Sequence, residues 1–198
     1  MDVGLWAARM ERVLTEQEEN ALLRLLPESR RQRLERVQKP EKRAEVLCAY
    51  TMLHLALRKR YGWRQIPELT LSSMGKPRFS EYPEVHFNIS HTGGAVLVGI
   101  SDEPVGVDIE RIRPVSERAM RRIAGVASEK AFFQSWVRRE ACAKRAGTGI
   151  GALMGETSLR DGEQFSFVDT FEGYVAGVAA GSRSEIGNVH RYFLDELL

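Results

Sequence analysis

The stretch "EPVGVDIERIRP", residues 103–114, combines a short apolar run with two carboxylates two positions apart. Successive side chains of a β-strand point to opposite faces, so Asp108 and Glu110 share one face while Val107 and Ile109 share the other. We expect the apolar pair to anchor the strand in a core and the acidic pair to face a site. Taken alone, such a pair is more often the exposed side of an edge strand.

The composition is that of an ordinary globular protein. The chain has 198 residues, of which 43% are hydrophobic, and this length allows one domain or two tightly packed halves. No segment approaches the roughly 18 apolar residues that cross a bilayer, and the first residues lack the pattern of an export signal. Cys48 and Cys142 lie far apart without metal-ligand spacing. We therefore expect a soluble, cytoplasmic protein that does not bind membranes.

Charge is balanced overall but concentrated locally. The net charge of +2 is too small for a dedicated nucleic-acid binder, whose affinity comes mainly from neutralised phosphates. Basic residues cluster in "PESRRQRLERVQKPEKR", residues 27–43. This segment can hold a phosphorylated ligand or an acidic partner, and a solvated helix face explains it equally well.

Three segments carry helix signals. Thr15 and Glu18 have the spacing of a capping box and predict a helix within 15–26. Apolar residues at helical spacing predict longer helices over 42–61 and about 128–146.

Short alternating or apolar segments predict strands, and the whole predicts an α+β fold. We expect two similar halves, 1–102 and 103–198, each with one long helix packed on a small, mostly antiparallel sheet. The predicted strands are "ELTLSS" (68–73), "VHFNIS" (85–90), "AVLVGIS" (95–101), "VGVDIE" (105–110), "TSLRD" (157–161), "QFSFVDTF" (164–171) and "GYVAGVAA" (173–180).

A second acidic feature lies in the later predicted helix. Glu140 and Lys144 are four residues apart, so they are neighbours on one helical stripe. Such a pair is usually a surface ion pair. If Glu140 faces Asp108 and Glu110, however, three carboxylates converge, and their repulsion requires protons or a cation. Oxygen ligands without histidine or cysteine suit Mg²⁺, although Mn²⁺ accepts the same ligands.

A magnesium site of this kind predicts a phosphorylated substrate and cations that bind it. Lys76 and Pro77 lie in a "GKP" turn, and Ser90 and His91 lie where a predicted strand ends. The cluster from Arg30 to Arg33 adds further positive charge. Each of these has a purely structural alternative, such as a surface turn or a packed histidine.

Four ordered motifs, "GKP", "FNISH", "VGVDIE" and "WVRREACAKRAGTGI", resemble those of the 4'-phosphopantetheinyl transferases of the single-chain Sfp type. The resemblance covers most of the chain, from "LTEQEENALLRLLPESRR" to "GYVAGVAA". It implies a pseudo-dimeric α+β fold that binds coenzyme A in the cleft between its halves. It also implies transfer of the phosphopantetheine arm to a serine of an acyl or peptidyl carrier protein, by a monomer.

The resemblance assigns a role to each matching residue. Asp108, Glu110 and Glu140 are the implied Mg²⁺ ligands, with Glu140 also the general base, and Lys144 is the implied phosphate contact that offsets developing charge. The residues implied to bind coenzyme A are Lys76, Pro77, Ser90 and His91 near its phosphates, Arg43 beside the nucleotide, and Arg30 and Arg33 at the 3'-phosphate.

The chain departs from the family pattern at several places: "GTGI" replaces the usual Gly-x-Gly-Leu, Ser29, Gln32 and shifted arginines replace lysines of the first basic helix, and two further departures concern the site. Arg139 replaces a lysine before the helical glutamate, which keeps the charge and changes its geometry. Only 25 residues, 111–135, separate Glu110 from Trp136, so the segment implied to dock the carrier is short. Two other functions stay open: a different Mg²⁺-dependent enzyme acting on a nucleotide or coenzyme A derivative, and a non-catalytic module that binds coenzyme A or an acidic protein.

Overall fold

The fold consists of two β-sheets that pack face to face, and a long helix covers the outer face of each sheet. The computed structural model describes residues 2–148, 159 and 161–198. In chain order the elements are β1 (Asp2–Arg9), α1 (Glu16–Leu23), α2 (Glu28–Leu34), α3 (Pro40–Tyr61), β2 (Leu69–Leu71), β3 (Pro77–Phe79), β4 (His86–Thr92), β5 (Ala95–Ser101), β6 (Gly106–Arg111), α4 (Glu117–Ala119), a π-helical turn (Met120–Ala124), α5 (Glu129–Ala146), β7 (Glu163–Val168), β8 (Tyr174–Gly181), β9 (Glu185–Phe193) and a final 3₁₀ turn (Leu194–Glu196).

The first sheet has the strand order β4-β5-β1-β9. Its pairs are antiparallel except that β1 and β9 run parallel. Helix α3 packs on the outer face of this sheet, where its buried Leu47, Leu53 and Leu57 join Val98 and Ile100 of β5 in one apolar cluster. The short strands β2 and β3 form a separate antiparallel pair.

Both long helices begin and end where the sequence signals place them. Helix α3 has Pro40 in its first turn and ends at Gly62, whose φ of 71° is left-handed. Helix α5 begins after Ser128, whose hydroxyl accepts a hydrogen bond from the Ala131 N–H, and ends at Gly147 with a φ of 69°. These bounds lie within two residues of the predicted ones.

The second sheet has the order β6-β8-β7 and is antiparallel throughout. Val107 and Ile109 of β6 are fully buried against Leu5 of β1 and Leu97 of β5, so the apolar faces of the two sheets form a common core. The prediction that Val107 and Ile109 anchor their strand is confirmed. Helix α5 covers the outer face of β6 and β8.

Side chains join the two sheets where their edge strands β4 and β6 meet. The Asn88 Oδ1 accepts a hydrogen bond from the Val107 N–H at 2.8 Å, and the Ser90 Oγ accepts one from the Ile109 N–H at 3.4 Å. These bonds satisfy backbone donors of β6 that have no strand partner on this side. They also bring the polar face of β4 against Asp108.

The α+β class is confirmed, whereas three strands, β1, β3 and β9, escaped prediction, and Pro77, expected in a turn, begins β3. Strand β1 at the beginning of the chain and strand β9 near its end pair with each other, so the range 103–198 contributes a strand to the sheet of 1–102. The division into two similar halves stays a prediction. The strand predicted over 157–161 falls mostly outside the described residues. Within the described part of the chain, no helix is long and apolar enough to traverse a bilayer.

Candidate active site

Asp108 lies at the centre of a buried polar cluster between the sheets and α5. Asp108 is only 3% exposed. Its Oδ1 accepts hydrogen bonds from Ser90 Oγ at 2.7 Å and from Lys144 Nζ at 2.6 Å. Burial raises the pKa of Asp108, while Lys144 and Ser90 oppose that rise. The Oδ2 is buried and has no hydrogen-bond partner among the described residues, so this oxygen is available to a ligand.

Glu110 lies on the same face of β6, as the alternation of the strand predicts. Its Oε2 accepts hydrogen bonds from Arg113 Nη1 at 2.8 Å and, more weakly, from Thr92 Oγ1 at 3.4 Å. The guanidinium of Arg113 also lies over the ring of Phe133 in α5, 4.7 Å from its centroid. A cation therefore neutralises each carboxylate of the pair on β6.

Glu140 on α5 completes a group of three acidic side chains. It is 8% exposed and lies one helical turn before Lys144. Burial raises the pKa of Glu140, Lys144 lowers it, and the charges of Asp108 and Glu110 raise it further. The structure thus brings Glu140 within electrostatic reach of both carboxylates on β6.

The close approach of α5 to β6 depends on a glycine. A Cβ placed on Gly106 would lie 2.1 Å from the Ala141 carbonyl oxygen and 2.3 Å from the Arg145 nitrogen, so any side chain here would push the helix away. Lys76 reinforces the contact, because its Nζ donates to the carbonyls of Val105 at 3.0 Å and Lys144 at 2.7 Å. Burial and the nearby Arg145 lower the pKa of Lys76 to about 8.

The acidic cluster has the donor chemistry of a magnesium site without its ligand arrangement. Among residues 2–148, 159 and 161–198, no three carboxylate, imidazole or thiol groups stand together at metal-binding spacing. Lys144 and Arg113 occupy oxygens of Asp108 and Glu110. Oxygen donors alone and the unpartnered Oδ2 of Asp108 nevertheless fit a hard divalent cation such as Mg²⁺.

A cavity of about 490 Å³ lies between α2, α3 and β4. Its walls carry Arg30, Arg33 and Arg36, with Tyr50 and His91 beside them. The guanidinium of Arg30 lies 5.8 Å from the centroid of the Tyr50 ring. Three guanidinium groups around one cavity create a strongly positive potential, which favours an anionic ligand.

A second cavity of about 320 Å³ connects the arginines to the acidic cluster. Lys76, Glu140 and Lys144 are among the residues that line it, and Pro77 and Asn88 line both cavities. The two cavities are therefore consecutive parts of one cleft. A ligand that extends from the arginines past Pro77 reaches the carboxylate of Glu140.

Comparison with known proteins identifies sequence relatives of this chain. No family model matches the chain. A 4'-phosphopantetheinyl transferase of Bacillus subtilis is 23% identical over 222 residues, covering 98% of this chain and 99% of the relative. The 4'-phosphopantetheinyl transferase Sfp of Bacillus subtilis strain 168 is 23% identical over 169 residues, covering 79% and 75%. The 4'-phosphopantetheinyl transferase AcpT of Salmonella typhi is 32% identical over 127 residues, covering 54% and 60%.

The chain is a homologue of the 4'-phosphopantetheinyl transferases. The resemblance drawn from the four motifs is thereby confirmed, including its relation to the Sfp type. The roles of individual residues in this homologue stay predictions.

The residues assigned to the coenzyme A phosphates occupy three different environments. His91 lines the arginine-rich cavity, and its Nδ1 lies 3.1 Å from the Oε2 of Glu45, a buried carboxylate on α3. Ser90 instead faces Asp108 from the opposite side of β4. The ammonium of Lys76 is held by backbone carbonyls, so a contact with phosphate requires it to leave them.

Arg43 lies close to the cavity but serves a structural purpose. Its Nε donates to Glu19 Oε1 at 2.6 Å, and its Nη1 donates to the Leu34 carbonyl at 2.8 Å. These bonds tie α1 and the end of α2 to the beginning of α3. A contact between Arg43 and a bound nucleotide stays a prediction.

Sequence reasoning missed three residues that line the cleft, Arg36, Tyr50 and Asn88, and also Glu45, which contacts His91. Tyr50 lies within the apolar period of α3, and helical periodicity does not separate a face that lines a cavity from one that packs on a sheet. Asn88 lies inside the quoted "FNISH" motif, and its alternation with Ser90 is the signal that could have identified it.

Proposed function

We propose that this protein transfers the 4'-phosphopantetheine group of coenzyme A to a serine of an apo acyl or peptidyl carrier protein, with Mg²⁺, and releases adenosine 3',5'-bisphosphate. The homologues are 4'-phosphopantetheinyl transferases by name, and this identifies the chain as an enzyme of that type. The single observation that carries the proposal is the cleft joining an arginine-lined cavity to Glu140, which lies within electrostatic reach of Asp108 and Glu110.

The shape and charge of the cleft suit coenzyme A. A cavity of about 490 Å³ is in the range of small-molecule sites, roughly 300–1,000 Å³. In the proposed pose, the 3'-phosphate and nucleotide occupy this cavity beside Arg30 and Arg33. The diphosphate passes Pro77 and Asn88 and reaches Lys144, which lines the second cavity.

The proposed reaction exchanges the phosphoanhydride bond of coenzyme A for a phosphodiester bond to the carrier serine. The serine oxygen of the carrier attacks the β-phosphorus of coenzyme A, and the bond from that phosphorus to the oxygen of the leaving adenosine bisphosphate breaks. Glu140 accepts the serine proton, a role that suits a carboxylate whose pKa is raised by burial. Lys144 offsets charge that develops on the phosphoryl oxygens. Asp108, Glu110 and Glu140 would hold Mg²⁺, which when bound would add to the neutralisation of the diphosphate charge.

The test follows the intact mass of a carrier domain incubated with protein, coenzyme A and Mg²⁺. The expected result is a carrier heavier by one phosphopantetheine group, with adenosine 3',5'-bisphosphate formed in equal amount. Glu140→Gln should abolish the mass gain, whereas Glu129→Gln, the same substitution on the same helix, should retain it. No adduct on fatty-acid, polyketide or peptide carriers would refute the proposed transfer.

The same experiment separates the transferase from a non-catalytic module. A module that only binds coenzyme A predicts binding without an adduct, with an affinity that does not change on addition of a chelator. An adduct that forms equally well with Glu140→Gln would retain the transferase and refute the role of Glu140.

A further inference from the structure

A resident cation occupies the site where a metal ion would bind Asp108. Lys144 Nζ lies 2.6 Å from Asp108 Oδ1 and 3.0 Å from Ser90 Oγ. Asp108 is almost completely buried, and the lysine side chain is 27% exposed. The ion pair is therefore shielded from water on the side of Asp108 and open on the side of Lys144.

A metal ion and the Lys144 ammonium cannot both bind Asp108 tightly at the same time. Two positive charges a few ångströms apart repel each other, and the repulsion is strong where burial limits screening by water and salt. If the Lys144 ammonium moved away from Asp108 without finding another anion, its positive charge would be left unpaired next to the protein. Tight metal binding consequently requires a second anion that takes the ammonium.

The second cavity of the cleft offers a place for that anion. Lys144 lines this cavity together with Gly75 and Pro77, so its flexible four-carbon stem can move the ammonium from Asp108 to a ligand without displacement of α5. The diphosphate of coenzyme A is the group that carries negative charge at this position in the proposed function.

We propose that Lys144 is an exchangeable counter-ion that couples metal binding to coenzyme A binding. In this scheme, which rests on the proposed function, the diphosphate draws Lys144 away from Asp108 and so opens Asp108 to the metal ion. Each ligand alone binds weakly, and each tightens the other by the same factor, as linkage requires. The enzyme therefore assembles its metal site only when its anionic substrate is present.

Arg113 is a second cation that pairs with the acidic side chains, but it opposes metal binding less strongly than Lys144 does. It pairs with Glu110 at 2.8 Å, and its side chain is 55% exposed. Water screens such a pair, whose contribution is small. We expect Arg113→Met to change metal affinity by less than about threefold, well below the effect of Lys144→Met.

The experiment measures Mn²⁺ binding by the electron paramagnetic resonance signal of the free ion, without carrier protein and therefore without turnover. The wild-type chain is titrated alone, with coenzyme A, and with adenosine 3',5'-bisphosphate, which lacks the diphosphate bridge. Binding of Mn²⁺ to coenzyme A in protein-free solution is subtracted. Coenzyme A should tighten Mn²⁺ binding by at least about tenfold, within the usual range of coupling factors, and the bisphosphate should not.

The decisive variant is Lys144→Met. Mn²⁺ should bind this variant about tenfold more tightly than wild type in the absence of coenzyme A, and coenzyme A should tighten it by a smaller factor than in wild type, because only the direct attraction between metal and diphosphate remains. Lys130→Met, at an exposed position of the same helix, is the matched control and should behave like wild type. If Lys144→Met does not fold, as judged by its thermal melt, Lys144→Gln replaces it with the same expected result.

Two results would overturn the inference: equal Mn²⁺ affinity of wild type with and without coenzyme A, or an unchanged or weaker affinity in the Lys144 variant alone. A parallel mass assay separates this failure from failure of the proposed function. If wild type modifies the carrier but coenzyme A does not tighten Mn²⁺ binding, only the counter-ion role of Lys144 is overturned. Absence of both modification and Mn²⁺ binding with coenzyme A overturns the proposed function as well.

Discussion

Gly106→Ala should damage both stability and catalysis, because Gly106 sets the distance between β6 and α5. The added Cβ would lie 2.1 Å from the Ala141 carbonyl oxygen and 2.3 Å from the Arg145 nitrogen. Both atoms belong to the backbone of α5, so neither can rotate away. Relief requires a shift of the helix that carries Glu140 relative to the strand that carries Asp108.

The size of the effect follows from the overlap. Real Cβ atoms essentially never approach such neighbours within 3.0 Å, so helix and strand must separate by about 1 Å, and overpacking of this kind costs about 1–3 kcal/mol of unfolding free energy. We expect the upper end of this range, because the clash involves backbone on both sides. A displacement of about 1 Å at catalytic groups reduces the rate about 100-fold.

Urea unfolding followed by tryptophan fluorescence measures the stability change, and the carrier mass assay measures the rate. Gly187→Ala on β9 is the matched control, since its Cβ would lie 3.2 Å from the Val3 carbonyl oxygen and should be accommodated by a small adjustment. An unfolding free energy of Gly106→Ala within about 0.5 kcal/mol of wild type, with full activity, would refute the close contact of β6 and α5.

Three further predictions concern charged groups. Glu140→Gln should lower the transfer rate by about 10²–10⁴-fold without loss of unfolding free energy at pH 8, because burial penalises the ionised carboxylate and raises its pKa. Burial also opposes ionisation of Glu45, but hydrogen bonds from His91 and Lys42 prevail and hold its pKa at about 2. This folded-state pKa lies below the ordinary value of 4.5, so the stability that Glu45 contributes is present above pH 4.5 and disappears as the pH falls towards 2. Glu45→Gln should remove that part of the pH profile of urea unfolding. Arg33→Ala should weaken binding of adenosine 3',5'-bisphosphate about tenfold in calorimetry, because it removes one charge-assisted contact.

Each of these predictions has a result that contradicts it. A Glu140→Gln protein that is much less stable than wild type at pH 8 would mean that the carboxylate supports the fold. A Glu45→Gln profile parallel to wild type below pH 4.5 would mean that the pairing with His91 contributes nothing. Unchanged nucleotide affinity in Arg33→Ala would place the bisphosphate outside the arginine cavity.

Local signals predicted α1, α3 and α5 well, whereas the short helices α2 and α4 were not predicted. Helices α3 and α5 have their apolar period, their caps and their terminal glycines within one continuous segment, so all the information needed for their bounds is close in sequence. The capping box of Thr15 and Glu18 is present in the structure for the same reason. The alternation of Asp108 and Glu110 with Val107 and Ile109 also follows from the strand alone.

Pairings between distant segments could not be predicted in this way. Strand β1 finds its parallel partner in β9, at the other end of the chain, and neither strand has a turn that identifies the other. The cleft has the same origin, since it brings residues of α2, α3, β4 and α5 to one place. Single motifs indicate that such residues matter, whereas the distances among them depend on how the two sheets join.

The contact between β4 and β6 determines which side chains surround Asp108, because it depends on the register of β4. On β4, Asn88, Ser90 and Thr92 share the face that meets β6, while His91 points to the arginine cavity on the other side. A slip of β4 by one residue would reverse every side chain. Ser90 would then leave Asp108, and the imidazole of His91 would meet it instead. The hydrogen bonds from β6 backbone to Asn88 and Ser90 prevent this slip, so the same contacts that hold the sheets together keep the face of Asp108 acidic and the arginine-lined cavity basic.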